Sequence, residues 1–289
     1  KYKKLGLVVV DEQHRFGVDQ RSKLISKSEI APHLLVMSAT PIPRTAAMLF
    51  FGDLKNTVIK EMPKGRKKIK TNWANTQAKV DKAYKKVRDE VEKGAQAYVV
   101  CPLVDVSAKI EAASAIEKFE DLKVGELKGL NVGLIHGQMK GTEKSQVMSE
   151  FVSGKTDVLV STTVIEVGVD VANASVMVIE DAQRFGLSQL HQLRGRVGRG
   201  SRESFCFLCS SNFTDKGEAR LDAMETVDDG FELAEIDLEL RGAGQLLGAS
   251  QSGIGDLKLG VLPRDVKYID FAREVAEAIY DKDDQLIES

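Results

Sequence analysis

Two adjacent carboxylates, Asp11 and Glu12, stand near the start of the chain, directly after the apolar run Leu5–Val10. Such a run predicts a buried parallel strand, and open α/β sheets bind ligands at the carboxyl ends of their strands. A phosphoryl-transfer site needs one carboxylate to hold Mg²⁺ and a second one to orient and deprotonate the attacking water. We assign Asp11 to the metal and Glu12 to the water. A strand end followed by a solvated acidic turn explains the same residues equally well.

The sequence does not contain the Gly-rich loop ending in Lys that cradles phosphates in nucleoside triphosphatases. Gly154-Lys155-Thr156 resembles the end of that loop, but Ser149 occupies the place of its first Gly, and a helix precedes the triplet where a strand is required. Gly154 is instead typical of a helix C-cap. Because the chain also starts at Lys1 on what should be a central strand, we expect it to be a carboxy-terminal portion of a longer protein.

The composition predicts a globular protein of about two domains, since the chain has 289 residues. The net charge of -2 gives no overall attraction to nucleic acid, so any such binding must come from local basic patches. Three cysteines argue against a disulfide framework, and no run approaches the roughly 20 apolar residues of a membrane span. Cys206 and Cys209 lie in a predicted strand, where residues three apart point to opposite faces and cannot share a metal. Reduced thiols favour a cytoplasmic location.

Alternating strands and helices predict an α/β fold with parallel sheets and helices on both faces. Residues 1–62, with a second strand at His33–Met37, form the trailing part of a first domain, and the basic segment Lys64–Lys70 is interpreted as a solvated linker. Residues 63–212 form a complete second domain, and residues 213–289 form a small helical domain. The predicted elements after the linker are helices Gln77–Glu92, Ala108–Leu122, Glu143–Val152, Glu218–Val227 and Phe231–Leu240, and strands Ala97–Val104, Asn131–Ile135, Val158–Ser161, Val176–Glu180 and Ser204–Cys209.

Hydroxyl groups follow predicted strands in both α/β domains. Ser38 and Thr40 come after the second strand, where they can hydrogen-bond the carboxylates or His14 and report the nucleotide state. In the second domain, the adjacent residues Thr162-Thr163 follow a strand, and a hydroxyl with a helix N-terminus can hold a nucleic-acid phosphate. Asp170, at the end of that segment, can reach a ribose or the catalytic water. A capped helix with an acidic turn explains this second segment as well.

An arginine-rich segment, Gln192–Gly200, carries three arginines and three glycines. Arg196 and Arg199 are three residues apart, so on one helical turn they share a face and can direct two guanidinium groups at one anion. The glycines remove side chains that would block that approach. We interpret the arginines as fingers that the second domain supplies to a γ-phosphate held on the first.

Taken together, these motifs resemble motifs II, III, V and VI of superfamily-two helicases and translocases, in order and at plausible spacing. The boxes are Asp11-Glu12-Gln13-His14, Ser38-Ala39-Thr40, Thr163–Asp170 and Gln192–Arg199. Further segments resemble the RecG family of branched-DNA helicases, namely Pro41–Thr45, His136–Met139, Arg184–Leu193 and Arg241–Gly253. The transcription-repair coupling translocase Mfd shares much of this pattern. Gln13 and the segment Ala97–Val104 with its following helical insertion favour RecG.

The resemblance implies RecA-like motor domains that use ATP and Mg²⁺ and act as a monomer on branched double-stranded DNA, such as stalled forks and Holliday junctions, in repair and recombination. It also implies nucleotide contacts, which it places at Asp11, Gln13, His14, Gly168, Asp170 and Gln192. In these families the helical hairpin at Phe231–Gln251 couples domain closure to movement on DNA, through Arg241 and Gln251. The residues alone indicate only a movable glycine-rich loop, and a helical cap on the second domain explains the apolar pattern equally well.

Two alternatives to a RecG-like motor stay open at this point. One is an Mfd-like translocase whose partner is RNA polymerase, and the other is a DNA-binding or regulatory module without turnover. Because this chain lacks the phosphate loop and its Lys, we expect it neither to bind ATP tightly nor to hydrolyse it alone.

Overall fold

The computed structural model describes residues 4–11, 32–38, 57–59, 61, 67–102, 108–162, 170–210, 214–241 and 267–280. The chain divides into two compact units, Lys1–Pro41 and Ile42–Ser289. None of the described helices combines the length and the apolar character that crossing a membrane requires.

The first unit contains two parallel strands, β1 (Leu7–Val10) and β2 (His33–Val36), which pair from Leu7 with His33 to Val10 with Val36. The predicted parallel strand is therefore confirmed, but its predicted burial is wrong for much of its length. Leu7 is 56 % exposed and Val9 is 51 % exposed, whereas Val10 is buried. In the described part of the chain, β2 is the only strand that pairs with β1.

The second unit is built on a six-stranded, all-parallel sheet in the order β3-β8-β7-β4-β6-β5. Its strands are β3 (Ile69–Ala74), β4 (Gln96–Val100), β5 (Val132–Ile135), β6 (Val158–Ser161), β7 (Ala174–Ile179) and β8 (Ser204–Cys209). Its helices are α1 (Gln77–Glu92), α2 (Ala108–Val124), α3 (Gly141–Val152), α4 (Leu187–Arg194), α5 (Asp215–Thr226), α6 (Gly230–Arg241) and α7 (Lys267–Tyr280), with a short 3-10 turn at Ala182–Arg184.

Helices cover both faces of this sheet, as the alternating pattern predicts. One face packs against buried residues of α3, α4, α5 and α6, such as Phe151, Leu190 and Leu221. The opposite face packs against α1 and α2 through Val87 and Leu122. The central strands β4 and β7 are buried along their whole length, which accounts for their nearly continuous apolar sequences.

Local sequence signals set the ends of several elements. Helix α1 begins after Thr76, whose hydroxyl accepts a hydrogen bond from the Lys79 backbone N–H at 3.4 Å, and it ends at Glu92, as the sequence predicts. Gly154 has a φ of +76° just after the Ser153 cap of α3, which confirms its predicted role in ending that helix. Strand β8 also has the predicted bounds.

Strand β3 and the end of strand β4 differ from the prediction. Strand β3 overlaps the end of the predicted linker, and no strand was expected there, because Lys70 and Asn72 interrupt its apolar pattern. As the edge strand of the sheet, β3 exposes those side chains while burying Trp73 and Ala74. Strand β4 ends at Val100 instead of Val104.

The cysteine pair behaves as the sequence predicts. All three cysteines are free and buried. Cys206 packs into the core on one face of the sheet and Cys209 into the core on the other. No group of three or more potential metal ligands occurs among the described residues.

Candidate functional site

Helix α4 leads into the arginine-rich segment and buries one of its three arginines. Leu187, Leu190 and Arg194 repeat at helical spacing on the inner face of the helix, and Arg194 is 4 % exposed. Its guanidinium donates to three backbone carbonyl oxygens at the end of α5, those of Met224 (3.1 Å), Val227 (3.0 Å) and Asp228 (3.0 Å). Burial lowers the pKa of Arg194, although the three carbonyls keep the cation solvated. Arg194 therefore holds α4 against α5 and is not available as a finger.

Arg196 and Arg199 lie beyond the end of α4, so the premise that they share one helical turn is wrong. The helix ends at Arg194, and a turn follows in which the Arg196 N–H donates to the Leu193 carbonyl at 3.0 Å. Gly198 has a φ of +76°, a conformation that does not continue a helix. The two arginines are instead presented by an irregular segment.

The glycines of this segment shape the chain path. A Cβ at Gly200 would lie 2.3 Å from the Ala172 carbonyl oxygen, and one at Gly198 would lie 3.0 Å from Ile69 Cγ1. Gly195 has an ordinary φ of -68°, and a Cβ there would lie 3.4 Å from the carbonyl oxygens of His191 and Gln192. We predicted that these glycines keep side chains away from an approaching anion. In the structure, glycine is needed at position 200 for a close backbone contact and at position 198 for a left-handed conformation.

Arg199 is held by two groups that the structure brings to it. Its Nη1 lies 3.6 Å from Asp170 Oδ1, and its Nε donates to the Gly195 carbonyl oxygen at 3.2 Å. The Arg199 side chain is 33 % exposed and that of Asp170 is 60 % exposed. Exposed ion pairs contribute about 0–1 kcal/mol, so the guanidinium can exchange this partner for a stronger anion. The structure thus places two of the predicted site residues, Arg199 and Asp170, side by side.

Tyr98 lies within electrostatic range of this cluster, and the sequence analysis did not single it out. It lies on β4, is 1 % exposed, and packs with its ring centroid 4.9 Å from that of Phe151. Burial raises the pKa of Tyr98 to about 12, the positive charges of Arg196 and Arg199 oppose that rise, and Asp170 adds to it. All three charged groups therefore act on one hydroxyl. In the sequence, Tyr98 could have been noticed because its hydroxyl interrupts the otherwise apolar stretch Ala97–Val100.

The carboxylate and hydroxyl predicted for the first unit lie at one edge of its sheet. Asp11 follows β1, Ser38 comes shortly after β2, and the Met37 N–H donates to the Val10 carbonyl oxygen at 2.7 Å. Both side chains are exposed. Four other predicted residues of this unit fall outside the described residues, namely Glu12, Gln13, His14 and Thr40.

The remaining predicted positions are only partly described. Thr162 is 1 % exposed, and its hydroxyl has no hydrogen-bond partner in the described part of the chain. Gln192 is half-buried on α4, and Arg241 is the last residue of α6, with its side chain outside the described set. Thr163, Gly168 and Gln251 also lie outside the described residues.

The carboxyl ends of β5 and β6 carry further polar atoms without partners. The Thr162 N–H donates to the Ile135 carbonyl at 3.2 Å, which aligns the two strand ends. Next to this contact in sequence are Ser161 and His136, whose Oγ and Nδ1 atoms are also buried without a hydrogen-bond partner among the described residues. Buried polar atoms normally find a partner, so this edge is a candidate place for a polar ligand.

Comparisons with known proteins agree with this geometry. The family described as "Helicase conserved C-terminal domain" matches residues 78–201, and the family described as "ATP-dependent DNA helicase RecG, domain 3, C-terminal" matches residues 227–289. Three proteins named ATP-dependent DNA helicase RecG are similar along the chain. The protein from Synechocystis is 48 % identical, and the match covers 99 % of this chain and 34 % of that protein. The protein from Thermotoga maritima is 49 % identical, and the match covers 96 % of this chain and 35 % of that protein. The protein from Bacillus subtilis is 48 % identical, and the match covers 96 % of this chain and 40 % of that protein.

A solved structure of RecG bound to a three-way DNA junction is 45 % identical, with a TM-score of 0.69 over 93 % of this chain and 34 % of that one. Saccharomyces cerevisiae Dbp5, at 16 % identity and a TM-score of 0.57, shares the fold alone. The second unit therefore has the RecA-like fold of a helicase carboxy-terminal domain. The chain spans about a third to two fifths of the length of the relatives named here. Because it shares nearly half of its residues with these proteins along almost its whole length, this chain is homologous to the RecG helicases.

Proposed function

We propose that this chain is the carboxy-terminal motor portion of an ATP-dependent DNA helicase and translocase that remodels branched DNA, such as stalled forks and Holliday junctions. The observation that carries the proposal is the ion pair of Arg199 with Asp170, which lies at the place of the motifs that the resemblance assigns to ATP contact. The names of the relatives and the three-way junction bound by a similar protein support it. The RecG-specific match at residues 227–289 favours this reading over an Mfd-like translocase.

In this proposal the first domain binds ATP and activates water. Asp11 holds Mg²⁺ and Glu12 is the general base, while Gln13, His14 and the coupling residues Ser38 and Thr40 sense the nucleotide. The exposed position of Asp11 at a strand end fits Mg²⁺, which usually takes only one or two carboxylates and completes its shell with water and phosphate. When bound, the ion neutralises charge on the β- and γ-phosphate oxygens.

The second domain supplies positive charge to the γ-phosphate through Arg196 and Arg199. Arginine fingers contribute about 10³- to 10⁵-fold to turnover, because they stabilise charge that develops in the transition state. Gln192 contacts the nucleotide or relays its state, and Gly168 belongs to the same nucleotide-facing segment. The exposed guanidinium of Arg199 and its weak ion pair fit this role, since the arginine can turn to phosphate at small cost.

We assign DNA contact to the carboxyl end of β6. We assign the coupling of motor closure to translocation to the helical domain. Thr162 and Thr163 are proposed to bind DNA phosphate, and the unpartnered hydroxyl of Thr162 supports that assignment. Arg241 and Gln251 are proposed to couple closure of the motor to translocation. The three hydrogen bonds from Arg194 to the end of α5 give the arginine segment a rigid connection to the chain that enters α6.

The proposed domains are residues 1–62 for the end of motor domain 1, 63–212 for motor domain 2, and 213–289 for the helical domain with the translocation hairpin. The two family matches fall within the second and third of these. The protein is proposed to act as a monomer.

The test compares this chain with the full-length protein in an ATP hydrolysis assay, with and without three-way junction DNA. We expect no DNA-stimulated hydrolysis by the chain alone, because it lacks the phosphate loop that positions ATP. The full-length protein should hydrolyse ATP in a DNA-stimulated reaction and unwind the junction, and Glu12→Gln should abolish both activities. DNA-stimulated hydrolysis by the purified chain that survives Glu12→Gln would contradict the proposal.

A further inference from the structure

An exposed arginine lies just beyond the carboxyl end of β7, in the 3-10 turn Ala182–Arg184. The guanidinium of Arg184 forms no hydrogen bond or ion pair with any residue that the structure describes. Asp181, the acid at the start of this turn, instead accepts a hydrogen bond from Gln183 Nε2 at 3.4 Å. The N–H donors of Arg184 are therefore available to an anion.

The backbone on both sides of Arg184 is held by a second arginine. Arg220 on α5 donates from Nη1 to the Phe185 carbonyl oxygen at 3.2 Å and from Nη2 to the Gln183 carbonyl oxygen at 3.3 Å. The Arg184 N–H donates to the Asp181 carbonyl oxygen at 2.9 Å. Asp181 has a φ of +45°, an uncommon left-handed conformation that turns the chain sharply out of β7. The exposed side chain of Arg184 thus projects from a backbone that is fixed by hydrogen bonds.

Arg184 shares the carboxyl edge of the sheet with Thr162, the proposed contact to DNA phosphate. Strands β6 and β7 pair with β4 on its opposite sides. Because neighbouring strands lie about 4.8 Å apart, the ends of β6 and β7 are about 10 Å apart. A DNA strand carries one phosphate per about 3.4 Å of helix axis. A strand that contacts Thr162 and continues along this edge therefore brings further phosphates to the end of β7.

We propose that Arg184 binds a backbone phosphate of DNA, so that the DNA contact at Thr162 continues along the carboxyl edge from β6 to β7. The inference rests on the proposed DNA contact at this edge and adds a residue to it. A guanidinium binds phosphate through its charge and paired donors, without reading the base sequence. The segment Gln192–Gly200 is separate from this site, because its Gly198 packs against Ile69 and Ser204, the first residues of β3 and β8.

The test measures the binding of fluorescently labelled three-way junction DNA to the full-length protein over a series of salt concentrations. Arg184→Gln should weaken binding by about 3- to 10-fold and reduce the steepness of the plot of log K against log[salt] by about 0.7–0.9, the contribution of one phosphate contact. Arg184→Lys keeps the charge and should keep the slope. Arg202→Gln is the matched control, because Arg202 lies just before β8 at the opposite edge of the same sheet, and it should bind DNA as the wild type does.

DNA-stimulated ATP hydrolysis distinguishes a DNA contact from a role in the motor itself. Arg184→Gln should raise the DNA concentration that gives half-maximal stimulation, with kcat at saturating DNA and KM for ATP unchanged within about twofold. A lower kcat at saturating DNA with unchanged DNA binding would make Arg184 a part of the motor and overturn the inference. An unchanged salt slope in Arg184→Gln, or an equal reduction in Arg184→Lys, would also overturn it.

A variant of Thr162 separates failure of this inference from failure of the proposed DNA contact. Thr162→Val removes the hydroxyl and keeps the shape of the side chain, and it should also weaken DNA binding. Weaker binding by Thr162→Val together with wild-type binding by Arg184→Gln would overturn the inference alone. Wild-type DNA binding by both variants would overturn the proposed DNA contact at this edge as well.

Discussion

Arginines of one short segment serve different purposes, and the difference follows from helical spacing. Arg194 is four residues after Leu190 and seven after Leu187, so it continues the apolar face of α4 and turns inward. Arg196 and Arg199 come after the helix has ended. Residue types and the motif predicted that Arg199 and Asp170 belong to one site, and the structure places them together. The end of α4 and the conformation of Gly198 decide the position of both side chains. The path of this segment depends on tertiary contacts with β3 and Ala172, which the local sequence does not reveal.

The buried guanidinium of Arg194 is expected to stabilise the fold. Arg194→Met keeps the apolar stem but leaves three carbonyl oxygens at the end of α5 without their donors. We expect a loss of about 2–4 kcal/mol in the free energy of unfolding, because unsatisfied buried groups are costly. Denaturant unfolding of the variant and of the wild type measures this loss in the free energy of unfolding. Arg184→Met, at an exposed position, should change stability by less than about 0.5 kcal/mol, and a similar loss in both variants would contradict this account.

At the scale of elements, the sequence predicts the bounds of helix α1, which a capping residue marks, and of strands β6 and β8, whose apolar runs are buried. Helix α1 has Thr76 at its start and Gly94 with a φ of +80° just past its end, and its predicted bounds are confirmed. Strand β3 was missed because its edge position permits Lys70 and Asn72, and no local pattern reveals which strand lies at an edge. Pairing with β8, which is far away in sequence, decides it.

Two glycines, one at each end of α3, test the role of backbone conformation in ending that helix. Gly154→Ala places a side chain at a φ of +76° with no neighbouring atom within 4 Å, so the cost is backbone strain of about 1–2 kcal/mol. Gly141→Ala, at the first position of the same helix, also meets no atom within 4 Å but has no positive φ. It should be neutral or stabilise by up to about 1 kcal/mol. Equal effects of the two substitutions on the free energy of unfolding would refute this explanation.

For the whole molecule, alternation of strands and helices predicts the α/β class, and the structure confirms it. The alternation does not predict the strand order, in which β3 and β8 form one end of the sheet and β5 the other, because that order depends on pairings between distant segments. The apolar cores on the two faces of the sheet contain all three cysteines between them, Cys206 on one face and Cys101 and Cys209 on the other.

These buried thiols predict how the stability of the molecule depends on pH. Burial raises the pKa of Cys101 and of Cys206 to about 12, and that of Cys209 also rises. In the unfolded chain a thiol ionises near pH 8.5, so this contribution to stability is fully present below about pH 8.5 and is lost as the pH rises toward the folded pKa. Denaturant unfolding between about pH 7 and 10 should show decreasing stability above pH 8.5. Cys206→Ala should reduce the slope, and a slope unchanged by that substitution would contradict the assignment.

The proposed contribution of Arg199 to ATP hydrolysis can be measured directly by replacing this one side chain. In the full-length protein with junction DNA, Arg199→Ala should lower ATP turnover by about 10³-fold or more, with the equilibrium affinity for ATP changed by less than about threefold. Arg202→Ala, three residues further along the chain and outside that segment, should retain turnover. Loss of nucleotide binding in proportion to turnover, or turnover that survives Arg199→Ala, would contradict the account.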